Sequence, residues 1–242
     1  MRADGDGRSL VRRFDEEVNN PGLETLRHVL GGNAGERAAG MLPAAVGQEH
    51  AALCAQQRVF TVLSSRFDDS GPAGFFLALA SAAVSSRVRL TRLVEGEPGF
   101  SSWGRSRSPA GIRSFERVLC RSALLGGRAE VAAAFRVAQI SWGKQCALFA
   151  NALRSEDDFA TAFADYFAAY AEPPRALLEQ AVEVVEVGLA DGEDPSAVSA
   201  AVEDFRMSLS DFWLLAASSP MKEPIRDDRE FAESGVAPTL VR

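Results

Sequence analysis

Glu49 is the residue of this sequence whose type and surroundings point most directly to chemistry. It lies in the run Gln48-Glu49-His50, with Gly47 before it and Ala51-Ala52-Leu53 after it. Small neighbours beside a carboxylate leave room for a ligand, and a buried carboxylate can accept hydrogen bonds from an amine or amidine edge. The alternative interpretation is a solvated helix face with no ligand.

Aromatic residues recur at helical spacing further along the chain. Trp142 and Cys146 are four residues apart, as are Tyr166 and Tyr170, so each pair shares one face of a helix. A buried tyrosine needs a partner for its hydroxyl group and therefore often borders a pocket. Core packing is the competing interpretation, and for Trp142 taken alone it is the simpler one.

The sequence lacks the motifs of most familiar catalytic and metal sites. It contains no phosphate-binding loop, GxSxG elbow, HExxH or CxxC. With His28 and His50 as its only histidines, a diiron ligand set cannot be assembled, and we expect no metal and no cofactor. Heme binding through His28 stays open as an alternative.

Composition excludes several classes of partner. The 242 residues are 47% apolar, enough for one sizeable core or two small ones. A net charge of −7 argues against nucleic-acid binding, and without a run of eighteen apolar residues we expect no membrane span. Three widely spaced cysteines and an N-terminus unlike a signal peptide indicate a cytoplasmic protein with reduced thiols.

The elements that must position these side chains are helices. Alanine and leucine are abundant and strand-like alternation is almost missing, which predicts an all-α fold. We predict residues 95–109 to be a surface loop, 1–218 a single helical domain, and 219–242 an extended tail suited to wrapping a neighbouring subunit. Glycines, prolines and capping residues delimit predicted helices over 9–18, 23–30, 44–67, 72–94, 112–125, 129–154, 159–170, 175–189 and 195–217.

Several segments together resemble one known family. The stretches FERVLCRSALLGGRAEVAAAF and FADYFAAYAEPPRALLEQAVEVVE, the closing Asp211-Phe212-Trp213, and upstream Asn20-Pro21 and Gln48-Glu49 follow its pattern. This is the TenA family (thiaminase II), which is related to the PqqC domain. The resemblance covers most of the chain and implies a single-domain helical bundle of the heme-oxygenase-like (TenA/PqqC) type. It also implies a homodimer or homotetramer.

The resemblance assigns a binding site to five residues. Glu49 stands where the family has an Asp that grips the amino-pyrimidine edge of the substrate. Phe115, Trp142, Tyr170 and Phe212 fall on aromatic positions of the family's pocket. We therefore expect these five side chains to line one internal cavity that holds a small planar organic ligand between rings.

The same alignment shows no catalytic machinery. The family's nucleophilic cysteine corresponds to Ala138, or to Ile140 when the alignment is anchored on Trp142, and its acid/base glutamate corresponds to Leu209. A further pocket tyrosine corresponds to Ala52. Bringing these small and apolar residues into one pocket favours a larger or more apolar ligand. Cys146 lies two turns beyond Ala138, which makes it a poor substitute nucleophile.

Three functional interpretations follow from these residues. The first is a diverged TenA-like protein that binds or transforms a small planar molecule, such as a biosynthetic intermediate, without thiaminase chemistry. The second is an aminopyrimidine hydrolase of thiamine salvage, which requires a cysteine facing Glu49 in the cavity. The third is a non-catalytic regulatory or interaction protein, whose cavity would be too small for a ring.

Thiamine cleavage should be negligible. Displacement at the pyrimidine methylene needs an activated thiolate and a proton donor for the leaving group, and Ala138 and Leu209 supply neither. The check is product formation from thiamine or aminopyrimidine by the purified protein. Turnover of about 1 per second or more would contradict the prediction.

Overall fold

Alanine-rich segments punctuated by glycine, proline and capping residues fold as helices in this protein. The computed structural model describes residues 7–16, 20–67, 70–95, 112–154 and 158–218. Those ranges contain no strand, so the predicted all-α class is confirmed. The helices are α1 (Gly7–Glu16), α2 (Pro21–Leu30), α3 (Ala34–Arg66), α4 (Ser70–Val94), α5 (Ile112–Leu125), α6 (Arg128–Leu153), α7 (Asp158–Ala168), α8 (Arg175–Ala190) and α9 (Pro195–Ser218).

Capping residues begin α9, which lines the site, and α2, which packs on α9. The backbone N–H of Ser196 donates to Asp194 Oδ1 at 2.9 Å, and Pro195 is the first residue of α9, as the sequence predicts. Asn20 Oδ1 likewise accepts from the N–H of Leu23 at 3.0 Å, with Pro21 as the first residue of α2. This cap is why α2 begins before the predicted start at residue 23.

The predicted start of α3 is wrong. The sequence interpretation begins this helix at residue 44, directly after Pro43, and a proline inside a helix removes one backbone hydrogen bond. The helix instead runs continuously from Ala34 with Pro43 inside it. The first segment buries Ala38, Met41 and Leu42 in the core, so packing outweighs the lost hydrogen bond.

Two long helices and their neighbours surround one internal space. α3 packs along α4 and also contacts α5 and α9, while α6 packs against α7, α8 and α9. α9 in turn lies on α2 and α5. Most residues of α6 are buried, including residues on every face of the helix. The space between α3, α5, α6 and α9 holds the candidate site.

The beginning of α6 is fixed by a residue from a distant turn. Glu193, which lies between α8 and α9, accepts hydrogen bonds from the backbone N–H groups of Arg128 and Ala129 at 2.8 and 2.9 Å. A carboxylate at the N-terminus of a helix satisfies its free N–H groups and interacts favourably with the helix dipole. This contact sets the position of α6 against α8 and α9.

One described helix meets the length and composition criteria for crossing a membrane. It is the segment Gly71–Val94 of α4. Apolar core helices of soluble proteins meet the same criteria, so the observation on its own is weak.

Some sequence predictions fall outside the described residues. These are the tail at 219–242 and the loop at 95–109 beyond Glu95. The heme-oxygenase-like type and the domain boundary stay predictions.

Gly143 provides a test of how α6 meets the segment that follows α7. A Cβ atom at Gly143 would lie 2.8 Å from the carbonyl oxygen of Tyr170 and 3.0 Å from that of Ala171. Backbone atoms cannot swing aside, so Gly143→Ala should lower the free energy of unfolding by about 1–3 kcal/mol.

Gly74→Ala in α4 is the matched control, because nothing lies within 4 Å of a Cβ atom there. It should raise the free energy of unfolding by about 0.5–1 kcal/mol through helix propensity. Urea unfolding of both variants measures the difference. Equal stabilisation by the two substitutions would contradict the packing described.

Candidate functional site

A small cavity lies between α3, α5, α6 and α9 and opens partly to solvent. Eight of its twelve lining residues are apolar and the other four are polar. The lining consists of Glu49, Ala52, Gln56, Ile112, Phe115, Phe135, Ala138, Gln139, Trp142, Ser208, Leu209 and Phe212. An apolar wall with a few convergent polar groups is the usual composition of a small-molecule site.

The size of this cavity limits the ligand. The centre of a water-sized atom can move through about 40 Å³ inside it. Three or so water molecules would fill that space, which amounts to roughly 90 Å³ of liquid water. An enclosed cavity that binds a whole benzene ring has about 150 Å³, so a ring at this site enters only in part and projects through the open side. A larger ligand likewise cannot lie wholly inside the cavity, whereas the apolar wall agrees with the expectation of an apolar ligand.

Glu49 is the one acidic residue of the lining and is almost completely buried, with 4% of its surface exposed. Burial raises the pKa of its carboxyl group from 4.5 to about 7, and hydrogen bonds from Tyr170 and Tyr166 oppose the rise. The Tyr166 hydroxyl donates to Glu49 Oε1 at 3.4 Å. Within the part of the chain that the structure describes, no cationic side chain forms a salt bridge with Glu49.

A pair of tyrosines stands behind Glu49. The hydroxyl oxygens of Tyr166 and Tyr170 are 2.9 Å apart, and the guanidinium carbon of Arg89 lies 5.5 Å from the centroid of the Tyr166 ring. Burial raises the pKa of both tyrosines, so both stay protonated and able to donate. Tyr170 therefore supports the carboxyl group and does not line the cavity, contrary to the expectation that all five residues form the wall.

Stacked aromatic rings hold the opposite wall. Trp142 stacks on Trp213 with ring centroids 5.5 Å apart and meets the edge of Phe212 at 4.9 Å. Trp213 Nε1 donates to Gln145 Oε1 at 2.7 Å, and Gln145 Nε2 donates to Asn20 Oδ1 at 3.0 Å. The orientation of the Trp142 wall thus depends on a buried polar chain that ends at the cap of α2.

Seven positions singled out from the sequence meet at this cavity. Four of the five expected binding residues line it: Glu49, Phe115, Trp142 and Phe212. Three further positions that the sequence analysis singled out also line it: Ala52, Ala138 and Leu209.

Sequence reasoning missed five lining residues, which are Gln56, Ile112, Phe135, Gln139 and Ser208. Helical spacing from Glu49 would have placed Gln56 on the cavity face.

No cysteine is among the lining residues of the described cavity. Cys146 is fully buried, and burial together with the nearby charge of Glu49 raises the pKa of its thiol well above 9.0. Cys54 lies 4.0 Å from the ring nitrogens of His50, and Cys120 is exposed. A thiol with a raised pKa is a weak nucleophile at neutral pH.

Neither a metal site nor a known relative identifies this protein. The described residues contain no group of three or more His, Cys, Asp and Glu side chains that could hold a metal ion. His28 is exposed on α2. No protein-family model matches the chain, and no curated protein matches it at a significant level.

The raised pKa of Glu49 predicts a specific pH dependence of stability. Between pH 4.5 and about 7 the folded state holds a proton on Glu49 that the unfolded state has released. The contribution of Glu49 to stability is therefore greatest below pH 4.5. It is lost as the pH rises to about 7, by about 3 kcal/mol.

Glu49→Gln removes this titration, so the variant should gain about 3 kcal/mol of unfolding free energy over the wild type between pH 4.5 and 8. Urea unfolding across that range measures the difference. Glu183→Gln, at an exposed position of α8, is the control. A stability difference between Glu49→Gln and wild type that does not change with pH would contradict the assignment.

Proposed function

We propose that this protein binds a small, planar, single-ring molecule with an amine or other cationic donor edge, and that Glu49 recognises that edge. On this proposal the chain is a diverged member of the TenA type that has lost thiaminase chemistry. The ligand could be a biosynthetic intermediate that the protein holds or transforms by another route.

The observation that carries the proposal is the state of the Glu49 carboxyl group. It is 4% exposed, it borders a cavity, and its described partners are tyrosine hydroxyls. A buried carboxylate without a counter-ion costs free energy, and a charge-assisted hydrogen bond from a bound cation recovers it. A ligand with a donor edge therefore gains more at this position than a ligand of the same shape without one.

The family resemblance adds support of a different kind. It predicts a pocket around Ala52, Ala138 and Leu209, and these three residues line the cavity together with Glu49. Helices α3, α6 and α9 contribute one each, so their meeting does not follow from spacing within one helix. The same replacements remove the nucleophile and the acid/base group, which favours binding over hydrolysis.

The other interpretations have less support. An aminopyrimidine hydrolase requires a cysteine at the cavity, and the described lining contains none. A purely regulatory protein would have a pocket too small for a ring. The volume of about 40 Å³ agrees with that interpretation for a fully enclosed ring, but the cavity is partly open to solvent, so a ring can enter it in part. From the resemblance we also propose a homodimer or homotetramer, and from the three widely spaced cysteines a cytoplasmic location.

Benzylamine is a suitable probe because it combines one ring with one cationic amine. At pH 8 it should quench or shift the tryptophan fluorescence of the wild-type protein. Glu49→Gln should weaken its binding by about 1–3 kcal/mol, because a charge-assisted hydrogen bond becomes neutral. Trp142→Ala should weaken it by a few kcal/mol, about 1–3, through lost stacking and burial.

Two controls make the result specific. Benzyl alcohol has the same shape without the charge, and its affinity should be the same for the wild type and Glu49→Gln. Glu183→Gln, on the exposed face of α8, should bind benzylamine as the wild type does. If benzylamine does not bind, or if Glu49→Gln and wild type bind it equally, the proposed function is wrong.

A further inference from the structure

Two glutamine amides are the polar groups of the cavity that the proposed function leaves unused. The lining includes four polar residues, namely Glu49, Gln56, Gln139 and Ser208. The hydroxyl of Ser208 donates to the carbonyl oxygen of Phe205 at 2.8 Å, so its proton is engaged. The amides of Gln56 and Gln139 form no hydrogen bond with any side chain or backbone group in the described ranges.

Gln56 and Gln139 belong to different helices, and both line the cavity. Phe60 of α3 and Phe135 of α6 are in edge contact, with ring centroids 4.7 Å apart. Gln56 lies four residues before Phe60, and Gln139 lies four residues after Phe135. Since the charge of Glu49 acts on Cys146 further along the same two helices, α3 and α6 run antiparallel. Gln56 and Gln139 are each one helical turn from the Phe60–Phe135 contact, in the direction of Glu49. Both amides therefore lie at the same height along the two helix axes.

The amide level is separated from the carboxyl level by two helical turns. Gln56 follows Glu49 by seven residues on the same face of α3, and at 1.5 Å per residue this gives a separation of about 10 Å. The lining side chains between the two levels are Ala52 on α3 and Trp142 on α6. Both glutamines are half-buried, whereas Glu49 is 4% exposed, so the amide level is nearer to solvent than the carboxyl level.

This spacing sets the length of a ligand that uses both levels. A hydrogen bond at each end takes up to about 3 Å, which leaves roughly 5–10 Å between the two polar ends of the ligand. A ring with substituents on opposite edges has this length, and a ring with one small substituent does not. The apolar band between the levels would contact the ring itself.

The chemistry of the amides selects the second substituent. A primary amide offers both a donor and an acceptor and carries no charge. Two amides that line the same cavity therefore match an uncharged group that also donates and accepts, such as a carboxamide. An anionic group would use the donors only and would lose part of its hydration without gaining a counter-ion.

We propose that Gln56 and Gln139 form a second recognition site at the mouth of the cavity. Its ligand class is a single ring that carries a cationic amine on one edge and an uncharged carboxamide-like group on the opposite edge. The inference rests on the proposed function, because it takes Glu49 to hold the amine. It adds the identity of the second substituent and the residues that select it.

A ligand series tests the proposal on the wild-type protein. Benzylamine, 4-(aminomethyl)benzamide and 4-(aminomethyl)benzoate share the ring and the amine and differ only at the opposite edge. The benzamide should bind about tenfold more tightly than benzylamine, as expected for one or two net hydrogen bonds. The benzoate should bind no more tightly than benzylamine. Calorimetric titration at pH 8 gives the three dissociation constants.

A variant series assigns the gain to the two amides. Gln56→Leu and Gln139→Leu, alone and together, should reduce the ratio of benzamide affinity to benzylamine affinity from about tenfold to about twofold or less, whatever their effect on benzylamine itself. Gln180→Leu, at an exposed position of α8, is the matched control and should keep the full advantage.

The outcomes separate this inference from the proposed function. If benzylamine binds through Glu49 but the benzamide binds no better, or the benzoate binds best, the second site is wrong and the first remains. If the advantage of the benzamide persists in the double variant, the assignment to Gln56 and Gln139 is wrong. If benzylamine does not bind at all, both proposals are overturned.

Discussion

The site depends on one buried carboxyl group, that of Glu49. It is enclosed among aromatic rings, and its described partners are tyrosine hydroxyls and not a cation. Burial shifts the pKa of Glu49 to about 7, so the folded protein bears a free-energy cost at neutral pH for keeping this group ionised. Replacement by an apolar residue would remove that cost. A bound cation is the arrangement in which the same group becomes favourable, and the open side of the cavity gives a cation access to it.

The rest of the fold holds the surroundings of this carboxyl group rigid. Glu193 caps the beginning of α6, and in the middle of α6 Gly143 allows close approach to the backbone carbonyl of Tyr170. Hydrogen bonds from Trp213 to Gln145 and from Gln145 to Asn20 fix the indole ring of Trp213, and Trp142 stacks on that ring. A wall held in this way is formed before a ligand arrives, which reduces the entropy lost on binding.

The sequence predicts the helices and much of the candidate site, and the predictions that failed did so for physical reasons. Helical periodicity and the Asp194-Pro195 cap predict α9, but Pro43 misleads because tertiary packing supports the helix on both sides of it. Alignment to a family pattern brings Glu49 and Ala138 to one cavity. The placement of Gln56 and Gln139 at one cavity depends on how α3 packs against α6, which no local sequence pattern contains. Likewise, the volume of the cavity depends on Phe135, whose type alone indicates only core packing.

The central claim is that Glu49 is a buried, uncompensated carboxyl group that a cationic ligand engages. It is tested most directly by a ¹³C NMR titration of the glutamate side-chain carboxyl carbons, with Glu49→Gln to assign the resonance. The account predicts a pKa of about 7 for the free protein and a lower pKa with saturating benzylamine. A pKa near 4.5 in the free protein, or the same raised pKa with and without benzylamine, would contradict it.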